Sequence, residues 1–171
     1  MVTTANKLSP EQARRRAWMA TLAKATEVEL EEAWTRLRLD PDYTWLRRPE
    51  FGSTMIRACV GGTGNPFNLG EATLTRCALR LADGTAGYAY VLGRCARHAE
   101  LAALFDALLQ TKEHRDLVGK DVIAPLAVAQ AKRHDEESRR ANATKVDFLA
   151  MARGLSLTSH VAHEDKGYDK S

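Results

Sequence analysis

A chain of 171 residues fits one domain, since a chain of this size can bury roughly two-thirds of its unfolded surface around one core, and a second folded domain is not expected. Its 44% hydrophobic and 27% charged residues, with a mean hydropathy of -0.36, are ordinary for a soluble globular protein and unlike a disordered one. The formal net charge of +3 is too mild to imply nucleic-acid binding by itself, though it suits anionic small molecules or an acidic partner surface.

Three cysteines, Cys59, Cys77 and Cys95, form no Cys-x-x-Cys pair, so neither a disulfide framework nor a zinc knuckle is expected, and a reducing cytoplasm is the simplest home. Arg14, Arg15 and Arg16 are followed by Lys24, Glu27 and Glu29 rather than by the apolar run of a signal peptide. No uncharged segment approaches the roughly 20 residues needed to span a bilayer.

Ser9 and Pro10 stand where an N-cap and first helical residue belong, and Ala17, Trp18, Thr21, Leu22 and Ala25 recur on one face of a helix. Thr26 is placed to cap a second helix, antiparallel to the first, through about Leu39, with Val28, Leu30, Ala33, Trp34 and Leu37 apolar before Asp40-Pro41. From Tyr43 the period becomes that of a strand: Tyr43–Arg48, a turn at Gly52, then Thr54–Val60. Ala72–Leu81 reads as a longer strand, Asp83-Gly84 as a hairpin turn, and Thr85–Leu92 as the returning strand with Tyr88 and Tyr90 on one face. Leu101, Leu104, Phe105, Leu108 and Leu109 make a stripe on a helix from about Arg97 to Thr111, suited to lie across a sheet. A short apolar piece, Val122–Leu126, precedes a long charged helix from about Ala127 to Arg153 that Gly154 would end. Residues 1–154 are read as one domain and 155–171 as a flexible C-terminal tail.

Chemistry-bearing residues gather at strand ends. The glycine-rich stretch Gly61–Gly70, which contains Gly61, Gly62, Thr63 and Gly64, could aim backbone N–H groups at a phosphate or phosphonate oxygen, or serve only as a strand connection. It is neither a Walker A loop nor a dinucleotide fingerprint. Arg76 falls within a strand, on the same side as Leu74, Ala78 and Arg80; it could grip an oxyanion, or lie along the sheet face. Gly93, Arg94, His98 and Glu100 stand at the junction of strand and helix, with His98 in the first helical turn. That histidine is an acid, base or ligand-orienting donor on one reading, and a group bonded to the helix start on the other. No catalytic triad, carboxylate pair or complete metal-ligand set stands out, so no metal is assigned.

With these residues in place, the chain resembles the PhnG family, the G subunit of the bacterial carbon-phosphorus lyase system for phosphonate breakdown. The likeness covers about Gln12 to Gly154. It rests on Gly61-Gly62-Thr63-Gly64, Phe67, Gly70-Glu71-Ala72-Thr73-Leu74-Thr75-Arg76, Leu81–Gly87, Gly93-Arg94, His98-Ala99-Glu100, Ile123-Ala124-Pro125-Leu126, and Val146-Asp147-Phe148 leading to Arg153-Gly154. Cys95 and Ala96 depart from the acidic and often basic residues that follow Gly-Arg in similar sequences.

The resemblance implies an accessory subunit of a core assembly with H, I and J subunits, with which K and L ATPase-like subunits associate. Together with H, I and L it would serve the transfer of ribose triphosphate from ATP to an alkylphosphonate with release of adenine. ATP and the phosphonate are then substrates of the complex, and no cofactor is expected on this chain. The expected fold is α+β: an antiparallel sheet with a central hairpin, covered by helices, with two N-terminal helices and a long C-terminal one. The N-terminal helices and the charged C-terminal helix are the expected partner surfaces. Two other readings remain: a self-sufficient enzyme acting on a phosphorylated small molecule through Arg76, Arg94 and His98, and a nucleic-acid-binding module, for which the strands do not interleave basic and aromatic residues.

Overall fold

The computed structural model describes residues 8–60 and 64–143. One compact unit ends at His134, and a second begins at Asp135, of which the described part, to Ala143, is helical. The fold is mixed α+β, as expected. Gly61, Gly62 and Thr63, the helical residues expected from Thr144 to Arg153, the stop at Gly154 and the tail all lie outside the described residues.

Helix α1 (Pro10–Lys24) and helix α2 (Glu27–Leu37) both begin with capping boxes. The Gln12 N–H donates to Ser9 Oγ at 3.2 Å while the Ser9 N–H donates to Gln12 Oε1 at 2.9 Å. Thr26 and Glu29 repeat the exchange at 3.2 and 2.8 Å. Each box satisfies N–H groups that have no partner within the helix. Helix α2 stops at Arg38, which turns left-handed at φ 50°.

The two helices do not pair along one another; each rests on a third helix, described below. The α2 stripe facing it is Leu30, Ala33, Trp34 and Leu37, spaced i, i+3, i+4, i+7. Val28, grouped with that stripe by sequence, is 65% exposed because it falls on the opposite flank.

Strands β1 (Tyr43–Cys59), β2 (Pro66–Leu81) and β3 (Ala86–Leu92) form an antiparallel sheet in the order β1-β2-β3. The turn expected at Gly52 is absent: β1 runs straight through, and Gly52 pairs with Leu74. The long facing strand β2 supplies a continuous ladder that outweighs the weak strand preference of one glycine. β2 likewise begins at Pro66 rather than Ala72, so Gly70 lies in a strand opposite Ile56, beside a bulge that inserts Leu69. The Asp83-Gly84 hairpin stands as expected, with Asp83 Oδ1 accepting the Thr85 N–H at 2.8 Å.

β3 pairs only with Leu74–Arg80, so Ser53–Cys59 and Pro66–Thr73 project beyond it as a two-stranded ribbon. Helices cover the sheet face that carries Cys77, Leu79, Leu81, Ala89 and Val91. The opposite face carries Arg76, Arg80, Tyr88 and Tyr90.

Helix α3 (Ala96–Gln110) fills the middle of the unit, with eleven of its residues buried. It can be buried on every side because alanines alternate with large side chains: Ala99, Ala103 and Ala107 let backbones approach, and Leu101, Phe105 and Leu108 fill the gaps. The Trp34 and Phe105 rings meet edge to face at 5.6 Å.

The segment after α3 differs from the expected single apolar piece. Helix α4 (Lys112–Val118) is followed by one turn of π-helix (Gly119–Ile123) and helix α5 (Ala124–Ala143). The polar run Lys112–Arg115 hid α4. The π turn prepares for Pro125, which lacks the N–H that Asp121 would receive in a regular helix. The Asp121 carbonyl takes a guanidinium N–H from Arg36 instead, at 3.5 Å.

The closest approach of sheet and helix is at Gly87, where a Cβ would stand 2.0 Å from the Ala103 carbonyl oxygen and 2.9 Å from Ala107 Cβ. Gly87→Ala therefore forces α3 off the sheet, and chemical denaturation is expected to show a loss of ~2–3 kcal/mol, the upper range for overpacking. A variant as stable as the parent contradicts this contact.

Candidate functional site

The junction between β3 and α3 is built by Thr75, a fully buried hydroxyl. Its O–H donates to the Gly93 carbonyl at 2.6 Å, and its oxygen accepts the Cys95 N–H at 3.2 Å. The Gly93 N–H donates to the Thr73 carbonyl at 2.8 Å. Gly93 has φ +93°, a conformation that favours glycine, and the turn delivers Arg94 to the surface. Arg94 is exposed and takes part in none of the ion pairs among the described residues.

His98 is 4% exposed, and its Nε2 lies 2.8 Å from the Leu22 carbonyl oxygen, an acceptor, so Nε2–H donates. The imidazole thus fastens the C-terminal part of α1 to the first turn of α3. Glu100 accepts the Tyr43 hydroxyl at 2.7 Å and pairs with Arg97 at 3.0 Å, and Arg97 also holds Glu31 at 2.7 Å. Arg97, chiefly by hydrogen bonding, keeps the Glu31 carboxyl below its ordinary range. Burial, then the bond to Glu100, pushes the Tyr43 phenol up to about 12, and burial pushes the Cys77 thiol to about 12 as well.

Arg76 lies on the other side of the sheet, bonded to Glu50 at 2.6 Å, with Arg47 on the same carboxylate at 2.7 Å. Of Gly61, Gly62, Thr63 and Gly64, the last is described: its N–H donates to the Val60 carbonyl at 2.8 Å, and Val60 leaves no room there for a Cβ. Arg76, Arg94 and His98 therefore do not converge. Gly93, Arg94, His98 and Glu100 do share one junction, in which His98 and Glu100 are bonded within the fold. Among the described residues no group of His, Cys, Asp and Glu is placed to hold a metal ion. No helix there is long and apolar enough to cross a membrane.

Sequence reasoning missed Asp106, a completely buried carboxylate inside the apolar stripe of α3. Arg15 grips it through Nε at 3.2 Å and a terminal nitrogen at 2.7 Å, the Trp18 indole N–H donates at 2.9 Å, and the Tyr88 backbone N–H at 3.0 Å. A lone aspartate among Leu104, Phe105, Leu108 and Leu109 was the available signal, with Arg15 and Trp18 one helical turn apart as its partners.

Asp106→Ala removes the acceptor shared by Arg15, the Trp18 indole and the Tyr88 N–H and leaves Arg15 only the Ala86 carbonyl, so a stability loss of about 3–5 kcal/mol is expected by denaturant titration. A loss below 1 kcal/mol contradicts that role. At alkaline pH, raised folded pKa values mean that the contributions of Tyr43 and Cys77 are intact below their ordinary values and lost as pH rises toward about 12. Stability is expected to fall between pH 9 and 12, and to fall less steeply in a Tyr43→Phe, Cys77→Ala double variant; identical slopes refute it.

A family model described as phosphonate metabolism protein PhnG matches residues 13–154. The alpha-D-ribose 1-methylphosphonate 5-triphosphate synthase subunit PhnG of Rhizobium meliloti (strain 1021) is 43% identical over 144 residues, which cover 83% of this chain and 90% of that protein. The resemblance read from the motifs is thus met by an independent match over nearly the same span, and the chain belongs to the phosphonate metabolism protein PhnG family.

Proposed function

We propose that this chain is an accessory subunit of a cytoplasmic assembly that transfers ribose triphosphate from ATP to an alkylphosphonate, releasing adenine, in phosphonate catabolism. Its partners on this reading are the H, I and J subunits of the carbon-phosphorus lyase core, with K and L ATPase-like subunits, and the transfer step calls on H, I and L. ATP and phosphonate are substrates of the assembly, and this chain needs no cofactor of its own. The observation that carries the reading is the 43% identity, over most of both chains, to a protein named as a synthase subunit.

The surface supports a subunit role. The large exposed apolar side chains concentrate on the sheet rather than on the helices first expected to meet partners. Phe51, Met55, Ile56, Phe67 and Leu69 line β1 and β2 at 38% to 63% exposure, and Tyr88, Tyr90 and Leu92 continue the series on β3. A two-stranded ribbon is marginal in water by itself, and apolar area on this scale marks an interaction surface. At the β3–α3 junction His98 and Glu100 meanwhile are occupied, the one with the Leu22 carbonyl of α1 and the other with Tyr43 of β1 and with Arg97.

A tagged chain from cells growing on a phosphonate is expected to bring down H, I and J homologues, and recovery without them refutes the reading. Leu69→Asp, on an exposed ribbon position, is expected to abolish co-recovery at an unchanged melting temperature. The isolated parent chain is expected to self-associate; a monodisperse monomer by light scattering counts against an apolar docking surface.

A further inference from the structure

On the helix side, away from the ribbon and the open sheet face, α1, the end of α3, the π turn and the start of α5 enclose a cleft of about 750 Å³. That volume lies within the range of small-molecule sites. Trp18, Leu109 and Ile123 give it an apolar wall, and three arginines, Arg14, Arg15 and Arg115, also line it.

Two of these guanidinium groups are already fixed. Arg15 is held by Asp106 and by the Ala86 carbonyl at 3.4 Å, through Nε and one terminal nitrogen. Arg115 donates from Nε to the Leu109 carbonyl at 3.1 Å and from one terminal nitrogen to the Gln110 carbonyl at 3.2 Å. In both, the second terminal nitrogen makes no hydrogen bond among the described residues, so each group is ordered by the fold and keeps donors to spare. Binding then requires little further ordering of either side chain. Arg14 is exposed and pairs with no described carboxylate, and among the described residues Glu11 is the one acidic side chain lining the cleft.

We infer that this cleft binds an organic phosphate: the arginines take the oxyanion head, in the manner guanidinium forks suit, and the Trp18–Leu109–Ile123 wall takes its apolar body. Arg15 and Arg115 are positioned donors, Arg14 adds an exposed charge, and Glu11 opposes the ligand. The inference uses none of the partners proposed above and stands or falls apart from them.

Calorimetric titration of the full chain with phenyl phosphate tests it, with inorganic phosphate and phenol as the head and body alone. Phenyl phosphate is expected to bind about tenfold or more tighter than either fragment, a gain that needs both charge and apolar wall. Arg14→Gln is expected to weaken it about tenfold and Glu11→Gln to tighten it severalfold, since one removes a facing cation and the other a facing anion. Both positions are exposed, so both variants are expected to melt with the parent. Absence of saturable binding, inorganic phosphate binding as tightly as phenyl phosphate, or an affinity indifferent to both substitutions overturns the inference.

Discussion

Asp106 is the point at which the helical layer is locked to the sheet. A carboxylate without solvent contact is expensive to bury unless its lone pairs are met, and here donors arrive from three elements: Arg15 and Trp18 from α1, the Tyr88 N–H from β3, and Gln110 from α3 itself at 3.4 Å. The bonds are directional, so they set both the rotation of α1 and its position along α3, which apolar packing alone leaves loosely specified. They also occupy the outward N–H of an edge strand, which otherwise invites pairing with another chain. His98 makes a second fixed point, by holding the Leu22 carbonyl nearer the other end of α1.

With helices on one face only, the sheet has a dry side and a bare side. The bare side and the ribbon carry aromatic and aliphatic groups in a pattern that a free-standing protein would replace with polar ones. The junction residues singled out by their chemistry, His98 and Glu100, are spent on internal bonds, and Arg76 is tied to Glu50 on the far side. Such a division, polar groups turned inward to brace the fold and apolar groups left outside, matches a family whose named member is one subunit of a synthase.

Local signals that act within a few residues were readable from sequence. Ser9 and Thr26 each came with the partner three residues on that completes a capping box, Asp83-Gly84 with its flanking strands, and α3 with a stripe of correct period. What failed to show depended on residues distant in the chain. Gly52 looks like a turn until the sixteen-residue strand opposite it is known. Helix α4 has too few apolar residues to betray a period, and its one buried residue, Val118, stands at its very end. At the candidate site the sequence located the β3–α3 junction but could not tell that His98 points at a carbonyl of α1 rather than at solvent. Thr75 and Asp106 were passed over because the partners that join them to other elements lie eighteen or more positions away.

The π turn at Gly119–Ile123 amounts to one surplus residue in an otherwise continuous helical path. A residue advances a helix by about 100°, so the bulge sets the azimuth of the first turns of α5. That phase is what brings Arg133 round to Glu29, which it reaches at 2.6 Å, and Gln130 to the Thr21 carbonyl at 2.8 Å. A homologue lacking one residue in this turn would keep its composition and its helix yet present a different flank of α5 to α1 and α2, so gaps here in a comparison of relatives carry more structural meaning than most substitutions.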